Sequence, residues 1–417
     1  MKKNILFITP YFPPEIGAPQ SRISELAKKM MQRGYNVKII CAFPNYPSGI
    51  IPKEYIGKKF LRQSYNGFDL LRTYMYATPN KGFLKRLVGH LTFAASSFLG
   101  YAKYRKEINA DIAIIESPPL FMGFTAIALR LLFGLKYVFN VSDVWPDSAV
   151  ELGMLKNKFL ISCSSALEKA SYYYSSAVAC VTRGIISNIE NKNVAREKLF
   201  FLPNGVDTDF FSSAKDKDGF YDLEKREFIK KFELEDKFVV LYSGTLGISQ
   251  NLGFLMDIAE KFRDNEKIKF LIVGDGAERE KLIQKKEKLN LKNVCFERLI
   301  PKAKMPALIA SAGACVVSLL DIPVFRGALP SKMYEYMAMQ KPIVMFAVGE
   351  CADLLNNADA GLVSKPDDLD SACANIEKLA EDKAVCQRLG ANAEKFVKQN
   401  FSRDVICDYW EKMLQNL

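Results

Sequence analysis

Histidine is almost absent from this chain: one residue, His90, in 417. A histidine base in a catalytic cleft, or a Ser-His-Asp relay, would have to use that residue, and it lies inside a basic helical segment, so both chemistries are disfavoured. Patterned metal ligands are absent too. The nine cysteines (Cys41, Cys163, Cys180, Cys295, Cys315, Cys351, Cys373, Cys386 and Cys407) are scattered, mostly in apolar runs, with no C-x-x-C pair. That set argues against a zinc site and reads as reduced thiols of a cytoplasmic protein. No uncharged apolar stretch reaches about 18 residues, so no membrane-spanning helix is expected. Repeats and low-complexity tracts are missing, as is a full G-x-G-x-x-G motif, and with it the expectation of a dinucleotide site. Apolar residues follow Lys2 and Lys3, but Pro10, Pro13, Pro14 and Glu15 interrupt them early. The start therefore reads as a first β-strand and not a signal peptide.

What is present is length and apolar content, 417 residues at 49% hydrophobic, enough for two domains each with its own core. Strand-like runs alternate with helical patterns at 5–9, 37–42, 70–74, 111–116, 137–142, 177–182 and 199–202. A second series follows at 238–243, 268–273, 294–297, 314–318, 343–346 and 361–364. This alternation predicts an α/β protein of two Rossmann-like, doubly wound parallel-sheet domains. We expect an N-terminal domain over 1–206 and a C-terminal domain over 207–397, with a terminal helix in 398–417 crossing back to the first. Helix 20–34 should end at Gly34, and Ser402 should cap the last helix.

The net charge of +11 is concentrated. Between Lys53 and Lys106 stand eleven Lys or Arg residues, among them Lys53, Lys58, Lys59, Arg62, Lys81, Lys85 and Arg86, against Glu54 and Asp69. Leu84, Leu87, Val88, Leu91, Ala94, Ala95, Phe98 and Ala102 recur there at helical spacing. Two readings stand: a helix packed on its own domain, or one lying in the headgroup layer of an anionic membrane. Nucleic acid is a poor second partner, because no nucleic-acid motif accompanies the basic residues.

Three loops carry candidate chemistry. Thr9 to Pro19 runs from a strand through a proline-rich loop into a helix, with Gly17 and Ala18 placed for close backbone approach to a phosphate or sugar. Gly274-Asp275-Gly276 suits a tight turn bordering a mononucleotide, and equally an ordinary strand-to-helix turn. The most informative stretch is Arg326-Gly327-Ala328-Leu329-Pro330-Ser331-Lys332-Met333-Tyr334-Glu335. Ser331 is a good N-cap, and Lys332 and Glu335 share one helix face at its start. A cation and free amides beside a carboxylate suit a diphosphate next to a ribose.

The set Tyr11-Phe12-Pro13-Pro14-Glu15, Asp143-Val144-Trp145-Pro146-Asp147, Leu202-Pro203-Asn204-Gly205-Val206-Asp207, Gly274-Asp275-Gly276 and Pro330-Ser331-Lys332-x-x-Glu335-Tyr336-Met337-Ala338 resembles glycosyltransferase family 4. Within it, the chain is most similar to the bacterial O-antigen and capsule amino-sugar transferases, from residue 3 to about 400.

The resemblance implies a GT-B fold with two domains facing a cleft, a retaining transfer without a metal or other cofactor, and a nucleotide sugar, UDP favoured over GDP, held mainly by the second domain. It implies that Glu335, the second acid of the family's E-x7-E motif, binds the donor ribose. The first acid would fall at Gly327, and the family's diphosphate-binding Arg and Lys near Thr245 and Asn251, so the sequence departs from the pattern at all three. Arg326 and Lys332 are expected to supply that charge, helped by the amides of Ala328 and Leu329 and the loop Ser243-Gly244-Thr245. Arg298 and Leu299 join the expected donor contacts. Asp143 is the candidate base or acceptor-orienting group, or a cap of the turn before Trp145, and His90 is expected on a helix face near lipid. Asn204 and Asp207 are expected to fix the interdomain loop.

The expected partners are a nucleotide sugar, a polyprenyl-diphosphate-linked acceptor and an anionic membrane at the inner face of the cytoplasmic membrane, contacted by the basic residues together with Leu87, Leu91 and Phe98. The expected activity is transfer of an N-acetylated or 6-deoxy amino sugar. The alternatives are sugar-nucleotide epimerisation on the same fold, and a binding protein that has lost transfer, for which Gly327 is the hint. Oligomeric state is left open.

Overall fold

The structure, a computed structural model, describes residues 2–15, 17–46, 48–79 and 82–417. Contacts divide it into two compact units: residues up to Asn204 together with Ile406–Leu417, and Gly205–Val405.

The first unit holds strands β1 (Asn4–Thr9), β2 (Asn36–Ala42), β3 (Phe60–Tyr65), β4 (Phe68–Thr73), β5 (Ile112–Ser117), β6 (Lys136–Val141), β7 (Ala177–Cys180) and β8 (Leu199–Phe201). Its helices are α1 (Ala18–Gln32), α2 (Phe83–Ile108), α3 (Met122–Phe133), α4 (Asp147–Glu151), α5 (Lys158–Tyr174) and α6 (Arg183–Glu190). The sheet order is β3-β4-β2-β1-β5-β6-β7-β8, parallel except for the edge strand β3. Strands covered by helices on both faces need apolar side chains at every position, and Ile5 to Ile8 and Ile112 to Ile115 are all buried. Helix α1 ends as its sequence predicts, with Gly34 at φ +86°.

Strand β3 escaped the sequence reading because its burial is shallow and broken, as befits an edge. Its signal was the turn: Asn66 and Gly67 both take positive φ, +50° and +84°, the pattern of a two-residue type I′ hairpin.

The second unit holds β9 (Phe238–Ser243), β10 (Ile268–Val273), β11 (Val294–Glu297), β12 (Ala314–Ser318), β13 (Ile343–Phe346) and β14 (Gly361–Ser364), all parallel, in the order β11-β10-β9-β12-β13-β14. This is the doubly wound order in which the direction of succession reverses between β9 and β12. Its helices are α7 (Ser213–Lys217), α8 (Asp222–Phe232), α9 (Leu252–Lys261), α10 (Arg279–Lys288), α11 (Met305–Ala310), α12 (Ser331–Ala338), α13 (Glu350–Asn357), α14 (Leu369–Glu381) and α15 (Lys383–Phe401).

The return to the first unit comes later than residue 398. Phe401, the last residue of α15, stacks on Tyr334 of α12 at 4.7 Å and so belongs to the second unit's packing. Ser402 pairs with Val206 in an isolated bridge, and its hydroxyl accepts from the Val405 amide at 3.4 Å, starting α16 (Arg403–Gln415). Arg33, which caps the end of α1, and Lys2 then hold Glu411 of α16, at 2.6 and 3.0 Å.

Candidate active site

Open parallel sheets bind ligands outside the carboxyl ends of their strands, where the strand order reverses. In the second unit that point is flanked by the loops after β9 and β12, and they are tied together by the Leu320 amide donating to the Ser249 carbonyl at 2.9 Å. Beside them, the loop after β9 pairs with the turn after β10: Gly244 donates to Val273 O, and Leu246 to Asp275 O, both at 2.9 Å. The backbones approach so closely that a Cβ on Gly274 would lie 1.8 Å from Gly244 O, and one on Gly276 2.3 Å from Leu246 O. These two glycines are therefore explained by packing between turns. Asp275 is exposed and accepts from the Gly276 amide at 2.8 Å.

Helix α12 is pinned to the same place. The Tyr336 hydroxyl accepts from the Ser243 amide and lies 2.9 Å from Ser243 Oγ. One turn earlier, Lys332 Nζ lies 3.7 Å from the centre of the Tyr242 ring, and a Cβ on Gly244 would sit 2.9 Å from it. Gly244 takes φ +134°, so glycine is required there by conformation as well as by space. Burial lowers the Lys332 ammonium to about 7, with Glu335 pulling the other way from one turn along the helix. The arrangement thus joins a desolvated amine, the start of α12, where the Met333 amide donates to Pro330 O at 3.0 Å and the amides of Ser331 and Lys332 precede the first helical bond, and a half-buried carboxylate.

Other expected donor residues are placed differently. Ser331 is the first helical residue and not the cap; Pro330 stands at the cap position, and no side chain closes that end. The Ala328 amide is taken by the Phe325 carbonyl at 3.0 Å within the 3-10 turn Pro323–Gly327. It is thereby committed within the loop, while Leu329 is buried. Arg326 is exposed, and its Nε lies 2.7 Å from Asp321 Oδ1, which raises its pKa. Gly327 ends the 3-10 turn. Thr245 is exposed, and Asn251, at φ +45°, precedes α9. Arg298 and Leu299 are exposed just past β11.

In the first unit the loops at the carboxyl edge are held by buried carboxylates that sequence reasoning gave no role. Glu15 accepts from the amides of Phe12, Asn45 and Tyr46 at 3.2, 2.7 and 2.7 Å, stapling the loop after β1 to the loop after β2. Burial pushes its pKa up, and those amides with Arg72 pull it down. Glu116 at the end of β5 accepts from Asn140 and Ser142, both at 2.8 Å, and pairs with Arg22 of α1, which donates to Asn204 at 3.0 Å. Asp207, at the start of the second unit, accepts from the amides of Asp209 and Phe210. Gly17 precedes α1, which Ala18 begins; a Cβ on Gly17 would meet Gln20 at 2.5 Å. Asp143 follows β6. Burial pushes its carboxyl up, the Ser148 hydroxyl at 3.1 Å and the Val144 amide pull it down, and Asp147 adds a smaller push upward.

Helix α2 divides its apolar residues between two faces. Phe93 and Ala94 are buried, and Phe98 packs against the core and lies 5.9 Å from the Phe133 ring, so Phe98 is a core contact and not a surface one. The exposed apolar stripe is Val88, Leu91, Ala95 and Leu99, with Leu87 half-buried. Lys85 and Arg86 are exposed at its start, and Lys53, Lys58 and Lys59 precede β3 at the same edge of the sheet. Arg62 instead pairs with Glu107, and Arg72 is wholly buried, donating to Pro13 O and Ala42 O. Lys81 lies outside the described residues. His90 is half-buried, and burial with Arg86 lowers its pKa to about 4, leaving a neutral ring. Among the described residues no helix is long and apolar enough to cross a membrane, and no cluster of three His, Cys, Asp or Glu could hold a metal ion.

Two doubly wound parallel-sheet units define a protein of the GT-B class. Residues 17–205 match the model described as glycosyl transferase 4-like domain, and residues 224–396 the model for glycosyl transferases group 1. The chain belongs to glycosyltransferase family 4. It is 26% identical over 332 residues to the putative colanic acid biosynthesis glycosyl transferase WcaI of Escherichia coli, covering 79% of each chain. It is 28% identical over 303 residues to the probable glycosyltransferase WbjE of Pseudomonas aeruginosa, covering 70% of this chain and 72% of that one. Among solved structures it is similar to Anabaena Alr3699/HepE in complex with UDP, with a TM-score of 0.72 at 16% identity, covering the whole of both chains.

Proposed function

We propose that this glycosyltransferase moves an N-acetylated or 6-deoxy amino sugar from a UDP-sugar, with retention and without a metal, onto a polyprenyl-diphosphate-linked saccharide of a bacterial surface polysaccharide, O-antigen or capsule. The observation that carries the donor half is Lys332, drawn over Tyr242 against Gly244 at the start of α12, with Glu335 one turn on. Stabilising the leaving diphosphate is the main demand of such a transfer, and a desolvated amine with helix-start amides meets it. Glu335 would take the ribose hydroxyls, and Asp143, raised by burial, would orient the acceptor. The names of WcaI and of the Staphylococcus aureus capsular polysaccharide glycosyltransferase CapM support the pathway class, and the UDP held by HepE supports the base.

For the acceptor half, the exposed stripe of α2 with its basic start would lie on the inner face of the cytoplasmic membrane, where each Lys or Arg adds about 1 kcal/mol of attraction to anionic lipid. The test is thermal denaturation with UDP, GDP and their sugars. A bound donor at 100 times its Kd adds about 2.7 kcal/mol of stability. UDP or a UDP-sugar should raise Tm in the wild type and not in Lys332→Ala; equal shifts in both would overturn the assignment.

A further inference from the structure

Lys192 belongs to none of the motifs above, yet it is placed as a surface lysine is not. Its side chain is 16% exposed, and its ammonium lies 2.7 Å from Glu168 Oε1 and 2.9 Å from Asp147 Oδ2. Glu168, on α5, is wholly buried and accepts a second bond from the Tyr172 hydroxyl at 2.9 Å. Asn188 of α6 donates to Asp147 Oδ2 at 3.1 Å. One ammonium just past α6 therefore ties together α4 and α5. Such a cluster, with Glu168 wholly buried and Asp147 half-buried, is a weak source of net stability, because desolvating the Lys192–Glu168 pair offsets most of what its pairing returns, and apolar side chains would hold the helices as well. What it fixes is position.

Asp147 is the first residue of α4, and the next residue, Ser148, donates from its hydroxyl to Asp143. Between the two acids, Trp145 packs edge-on against Phe121 at 5.7 Å. On the other side of Asp143, Ser142 is held by Glu116. The segment 142–148 is thus anchored at both ends, and Lys192 is the charged anchor on the α4 side, with Asn188 beside it.

We propose that Lys192 is a positioning residue for Asp143: it grips Asp147, fixes α4, and so aims the Ser148 hydroxyl at the Asp143 carboxylate. The proposal rests on Asp143 being the group that orients the acceptor. The chain carries two tryptophans, Trp145 and Trp410. A Trp410→Phe background therefore makes Trp145 the sole reporter of this segment.

In that background, Lys192→Met should shift Trp145 emission to the red and increase its quenching by acrylamide, and Lys192→Arg should restore both. Turnover of UDP-N-acetylglucosamine on undecaprenyl-diphosphate-linked N-acetylglucosamine should fall about 100-fold in Lys192→Met, as a misplaced reacting group does, with donor KM unchanged. Ile189→Val, a core truncation in α6 that leaves the cluster intact, should lower Tm without altering Trp145. Unchanged Trp145 emission in Lys192→Met, or the same red shift in Ile189→Val, would refute the clamp. If Lys192→Met does not fold, Asp147→Leu, which removes the acceptor while leaving Lys192 on Glu168, carries the test with the same outcomes. Full turnover in Asp143→Asn would instead remove the reading of Asp143, and Trp145 would still decide whether the clamp exists.

Discussion

Donor binding should draw a proton onto Lys332. In the folded chain its pKa is about 7, against an ordinary 10.5, because burial disfavours the charged form. That gap corresponds to about 5 kcal/mol between the two protonation states. The sign follows from which state holds the proton. Between pH 7 and 10.5 the unfolded chain is protonated where the folded one is not, so this residue makes stability rise with pH across that window, and below about pH 7 its full penalty is present. A diphosphate against the amine reverses the preference and lifts the pKa again. At pH 8 the free site is about one-tenth protonated, so binding should take up about 0.9 proton. Titration calorimetry with UDP in two buffers of different ionisation enthalpy, at one pH, reads that number as a slope. Lys332→Met should reduce it to near zero and flatten the rise of stability between pH 7 and 10. No uptake in the wild type, or the same uptake in Lys332→Met, would show that the amine does not meet the phosphates.

Gly274→Ala should destabilise the second unit by roughly 3 kcal/mol or more, read by urea unfolding, since its Cβ would lie 1.8 Å from the Gly244 carbonyl and the turns cannot separate without losing their ladder. Freeing Arg326 by Asp321→Asn should lower donor KM about two- to fivefold if the guanidinium serves the phosphates, which is what one exposed charge contributes. Unchanged KM in both Asp321→Asn and Arg326→Ala would remove that residue from the site. Replacing Val88, Leu91 and Leu99 together with Ser should weaken co-sedimentation with vesicles containing phosphatidylglycerol and leave UDP binding intact; unaltered sedimentation would place the lipid contact elsewhere. Glu15→Gln turns one acceptor into a donor facing amides, and should cost about 1–3 kcal/mol of stability in thermal or urea unfolding.

The fold was legible because thirteen of its strands form short, mainly apolar runs in an order that alternates with helices, and even the partly buried edge strands β8, β11 and β14 keep that pattern. The fourteenth, β3, lies at an edge and carries only a turn signal. Within the site, Lys332 and Glu335 were legible as a pair on one helix face, because that geometry is local. Tyr242 and Tyr336 were not, since a tyrosine in an apolar run looks like core until a partner 93 residues away, as for Ser243 and Tyr336, is brought to it. Helix α2 shows the same limit. One period fitted its apolar residues, but it could not tell that Phe98 turns to the core while Val88 and Leu91 remain outside.

The departures from the family pattern become coherent when charge is followed through the structure. A diphosphate needs a cation that no neighbouring carboxylate already holds. Arg326 is committed to Asp321, and Lys231 to Glu297 past the next turn, while Thr245 and Asn251 contribute no charge. Lys332 faces a ring and a glycine, and Glu335, one turn along the helix, only partly offsets the effect of burial on it. An amine in that setting resists charging until an anion arrives, and then interacts strongly, because the same burial that lowers its pKa removes the water that would screen it. On the proposed reading of Lys332, the site would substitute one desolvated, conditionally charged group for two permanently charged ones. It should consequently bind nucleotide less tightly as pH rises well above 7, where the proton it must acquire becomes scarce.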